Sequence, residues 1–93
     1  MHIRQLILEA QTEESLVQML RQAGENVTSG DVEAVDKSSD TTSFDVYISG
    51  EPYQFDVDKS GQVYFYDHNK AVELGFIDNI AQLVINYKKL KGV

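Results

Sequence analysis

Between Phe44 and Tyr66 the chain alternates apolar and polar residues in three successive runs, with a short turn after each of the first two. Phe44, Val46 and Ile48 alternate with Asp45, Tyr47 and Ser49. Tyr53, Phe55 and Val57 alternate with Gln54 and Asp56, and Val63 and Phe65 with Tyr64 and Tyr66. Period two sends successive side chains to opposite faces of a strand. Ser49-Gly50-Glu51-Pro52 and Lys59-Ser60-Gly61 supply turn residues between the runs. The pattern predicts an antiparallel meander with one apolar face that something else must cover.

The flanks offer that cover. Leu16, Leu20 and Ala23 fall at helical spacing, with Val17 and Met19 beside them. Thr12 is placed to cap this helix, Glu13 and Glu14 suit its positive end, and Gly24 suits its stop. Ile3, Leu6, Ile7 and Ala10 fit a short separate helix or a strand, with a break expected around Gln11–Glu13. Toward the other end, Phe76, Ile80, Leu83, Val84, Tyr87 and Leu90 recur at helical spacing. A weaker strand is expected at Val32–Asp36. Residues 70–74 read either as a helical turn closed by Gly75 or as one more short strand. The expected fold is α+β, an antiparallel β-meander of three to four strands with N-terminal and C-terminal helices packed on one face. The expected single domain has a helical stretch over 2–24, a sheet over about 31–66 and a helix over about 76–90.

With 93 residues and no cysteine, disulfides, thiolate catalysis and zinc–thiolate sites are excluded. The first residues hold too short an apolar run for a signal peptide, and no segment approaches the ~18–20 apolar residues that span a bilayer. A cytoplasmic protein is the expectation. No nucleophile elbow, phosphate loop or dinucleotide fingerprint occurs, so no enzymatic activity and no cofactor are expected.

One segment resembles an EF-hand calcium loop. Asp56, Asp58 and Ser60 occupy the first three ligand positions, Gly61 follows, and Asp67 closes the loop. Its last ligand is aspartate instead of the longer glutamate, and strand-like alternation replaces the flanking helices. A hairpin turn at Lys59-Ser60-Gly61 accounts for the same residues, so no metal is expected. His2 and His68 lie far apart in sequence, and His68 stands in a polar turn beside Asp67. Neither is expected to do chemistry.

The charge is more informative. The net charge is −7, and it is not spread evenly. Residues 25–67 carry −8, with Lys37 and Lys59 as their only bases, while the rest of the chain carries +1. That balance argues against direct contact with nucleic acid or anionic membranes. If Phe44, Val46 and Ile48 face inward, then Tyr47, Tyr64 and Tyr66 face outward beside Asp45 and Asp56. Tyrosines among acids suit an interface with a basic protein surface. The candidate binding residues are Tyr47, Tyr64, Tyr66, Asp31, Glu33, Asp36, Asp45, Asp56 and Asp58. In its sharpest form this is an inhibitor imitating the charge of DNA on a nucleic-acid-binding protein. Size and charge are similar to those of small phage-encoded anti-defence proteins, a likeness of composition that no motif carries. The rival expectation is a structural protein that self-associates, for instance as a homodimer, through the same tyrosine face.

Overall fold

The computed structural model describes residues 2–67 and 69–92, and for residues 2–10 it describes the backbone alone. Helix α1, His2–Gln22, leads through a 3₁₀ turn at Ser29–Asp31 into five strands. These are β1 Val32–Lys37, β2 Thr41–Ile48, β3 Glu51–Asp58, β4 Gln62–Asp67 and β5 Lys70–Phe76, and helix α2, Ile80–Lys91, follows. The strands form one antiparallel sheet in the order β1-β2-β3-β4-β5.

The alternating runs become β2, β3 and β4, the weaker strand expected at Val32–Asp36 becomes β1, and β5 takes the sheet one strand beyond the expected three to four. The sheet runs to Phe76 instead of ending near residue 66, because Lys70–Phe76 pairs along the whole of β4. Residues 70–74 are therefore strand, with alternation that holds through Leu74, and the bulge there shifts the phase only at Gly75 and Phe76. The last helix begins at Ile80 and not at residue 76. Phe76 is still paired with Gln62, and the Asn79 side chain accepts the Gln82 N–H at 3.3 Å to cap α2.

The N-terminal helix is continuous through the expected break. Gln11, Thr12, Glu13 and Glu14 include no glycine or proline, so losing the apolar phase does not break the backbone. Thr12 lies inside α1 and not at its cap. The helix stops where Gly24 predicts, at φ 96°, with Gly24 N–H donating to the Arg21 carbonyl and Glu25 N–H to that of Leu20.

The hairpin turns follow from local chemistry. Ser49 and Gly50 link β2 to β3 with φ of 55° and 82°, the mirror-image turn that matches strand twist. Between β3 and β4, Gly61 at φ 91° completes a three-residue loop closed by its N–H on the Asp58 carbonyl.

One face of the sheet is dry. Phe44 pairs with Phe55, and Phe55 with Phe65, which places three aromatic rings across three strands. Tyr87 of α2 meets the Phe65 ring edge-on at 5.9 Å, and Leu83 joins it, while α1 contributes Leu16, Met19 and Leu20. Both helices cover this face. The Tyr87 hydroxyl reaches Glu25 Oε2, and burial together with that carboxylate pushes its ionisation far upward.

Candidate protein-docking face

Among the described residues, no helix lies over the opposite face of the sheet. Pairing places Asp36 against Ser43, Ser43 against Asp56, Asp56 against Tyr64, and Tyr64 against Glu73. These five residues form one row that crosses all five strands. With neighbouring strands ~4.8 Å apart, its carboxylates recur about every 10 Å, with a serine and a tyrosine between them. A second row holds Glu33 against Asp45 and Asp45 against Gln54. Tyr66 stands beside these rows on β4, opposite Ala71, and Tyr47 on β2, opposite Pro52.

No lysine or arginine of the described strands shares this face. The two bases of the acidic segment, Lys37 and Lys59, both line a cleft of about 360 Å³ at the far end of the sheet, between α1 and two hairpin loops. Lys59 Nζ lies 3.4 Å from Asp40 there, and both side chains are well exposed. The directly paired Glu33 and Asp45 therefore meet as like charges, an arrangement that costs folding energy.

Asp56 is the best-held acid on the face. Gln54 Nε2 donates to its Oδ1 at 2.9 Å. The negative charge of Asp56 raises the pKa of the Tyr66 phenol above the ordinary tyrosine value. Tyr64 and Tyr66 are half-buried in the face, and Tyr47 stands out from it at 45% exposure.

Of the residues expected at the site, Glu33, Asp36, Asp45, Asp56, Tyr47, Tyr64 and Tyr66 thus share one surface. Asp31 and Asp58 do not join it as free carboxylates. Asp31 accepts the N–H and hydroxyl of Thr28, at 2.9 and 3.2 Å, in the 3₁₀ turn before β1. Asp58 folds over its own hairpin. Its Oδ1 accepts the Ser60 hydroxyl at 2.6 Å and the N–H groups of Ser60 and Gln62, each at 3.0 Å. The Ser60 hydroxyl and these backbone donors hold the Asp58 carboxyl below the usual range.

The stretch with calcium-loop spacing is this same β3–β4 hairpin, and Asp58 satisfies the turn. Among the described residues no three His, Cys, Asp or Glu side chains are grouped to hold a metal. His68 lies outside the described residues, as does the side chain of His2. Glu73 is the acid that sequence reasoning missed. Its signal was present, since Ala71 and Glu73 alternate with Val72 and Leu74.

The chain matches no protein-family model, no curated protein and no solved structure. Among the described residues, no helix is long and apolar enough to cross a membrane.

Proposed function

We propose that this protein is a binding module whose open sheet face docks onto a basic surface of another protein. The like-charge pairing of Glu33 with Asp45 carries the reading. A sheet selected for stability alone would place threonine or an opposite charge at one of these positions. Acids set side by side on an uncovered face, beside Tyr47, Tyr64 and Tyr66, give up a little stability and gain attraction for cations. A partner that normally holds nucleic acid carries such cations, and the protein would then block it by occupying its phosphate-binding surface.

Self-association through the same tyrosines is the weaker reading. Two copies face to face would set Glu33, Asp45, Asp56 and Glu73 against the same acids, and like charges across an interface cost several kcal/mol.

The test is affinity capture at low and high salt, with a quadruple variant (E33Q, D45N, D56N, E73Q) as the control. Basic proteins should be retained by the natural chain and released both by salt and by the variant. Equal retention by the variant would remove the acidic face from the account.

A further inference from the structure

We infer that the face selects arginine over lysine, through a subsite in which Tyr64 is flanked by Asp56 and Glu73. This rests on the docking reading above and names the partner chemistry it requires: an arginine-bearing segment of another protein. Tyr64 is the direct cross-strand neighbour of both Asp56 and Glu73, so its side chain is rooted between two acids, each one strand away. Directly opposed side chains lie ~5 Å apart at their bases. A cation placed over the ring is therefore within reach of both acids.

That geometry suits a guanidinium better than an ammonium. A guanidinium is planar and weakly hydrated, stacks on an aromatic face, and still presents donors along its edges in a fork that matches a carboxylate. An ammonium is a compact, strongly hydrated point charge that gains little from the ring face. Asp56 is also arranged in advance. Gln54 Nε2 holds it in place. An ionised carboxylate offers about four lone-pair sites, so enough remain beside the Gln54 bond for a two-pronged partner. Glu73, exposed on the edge strand, can approach from the other side. Because no lysine or arginine of the described strands shares the face, none of them competes there with the incoming cation.

The experiment compares two fluorescently labelled peptides that are identical except that every basic residue is arginine in one and lysine in the other. Their affinities for the intact protein are measured by anisotropy at low salt. The arginine peptide is expected to bind roughly tenfold more tightly, the scale of one stacked, partly desolvated cation. Y64L should bring the ratio close to one, Y64F should preserve it, and E73Q should reduce it. The ratio in the unaltered protein and in E73Q decides the matter even if Y64L folds poorly. Equal affinity for the two peptides overturns arginine selectivity and leaves charge-driven docking standing. Binding of neither peptide overturns both. A ratio that persists in folded Y64L places the selectivity elsewhere and overturns the subsite.

Discussion

The two faces of this sheet are built from the same strands and obey opposite rules. The inner face packs Phe44, Phe55 and Phe65 beneath Tyr87 and Leu83, with every ring fully or nearly fully buried. The outer face sets Asp36, Asp56 and Glu73 along one row and Glu33 against Asp45 in the next. Removing atoms from the first face opens a cavity, whereas removing charge from the second relieves repulsion. The packing that stabilises the fold lies on one side of the sheet, and on the other Glu33 and Asp45 meet as like charges that work against it.

The largest effect that could break this contrast is at Phe65. Phe65→Ala should lower the unfolding free energy by about 3–5 kcal/mol, measured by chemical denaturation, because three ring contacts are lost at once. A loss below about 1 kcal/mol would mean that the inner face is not the core.

Tyr87→Phe comes next. It keeps the ring and removes the hydroxyl that donates to Glu25. A cost of about 2 kcal/mol is expected, since the bond is to a charged group and partly buried. Thermal melting should show it, and an unchanged melting temperature would show that Glu25 finds water instead.

Asp58→Ala should cost about 1 kcal/mol by freeing the donors of the β3–β4 turn. It should also change the response to acid. The folded-state pKa of Asp58 is depressed, so its contribution is complete above the unfolded value of ~3.9 and is lost as pH falls through the lower folded value. The natural chain should therefore lose more stability than D58A as the pH falls below about 4. Parallel acid curves for the two proteins would remove Asp58 from that role.

The smallest effect is the most telling. Glu33→Gln should raise stability by about 0.2–0.5 kcal/mol at low salt, and the gain should shrink as salt is added. The same substitution should weaken binding to a basic partner. If E33Q destabilised the protein, the outer face would belong with the inner one and the docking proposal would lose its main support.

Several elements could be read directly from the residues because their causes are local. The turn at Ser49-Gly50 follows from two residues that tolerate positive φ. Gly24 ends α1 in the same way, and the alternation from Phe44 to Phe65 assigns the inner face. Other features escaped because their causes lie elsewhere in the chain. The spacing of Phe76 and Ile80 suggests one helix, yet pairing with Gln62 holds Phe76 in the sheet. The phase lost at Gln11–Glu13 suggests a break, yet nothing there prevents the backbone from continuing. Asp58 looked like a surface acid, and only its closeness to the Ser60 and Gln62 donors shows it committed to the turn.

By itself the sequence determined the α+β class, the apolar face of the central strands, their turns, and the concentration of negative charge in residues 25–67 with tyrosines among it. Each depends on residue type and short-range spacing, which the chain carries wherever it folds. Only the tertiary structure decided that five strands pair, that Glu73 joins Tyr64 and Asp56, that Glu33 opposes Asp45, and that Lys37 and Lys59 sit away from them at the cleft. Cross-strand neighbours are set by register, and register is set by turn lengths and by the bulges in β1 and β5. A shift of one residue would send every side chain of a strand to the other face.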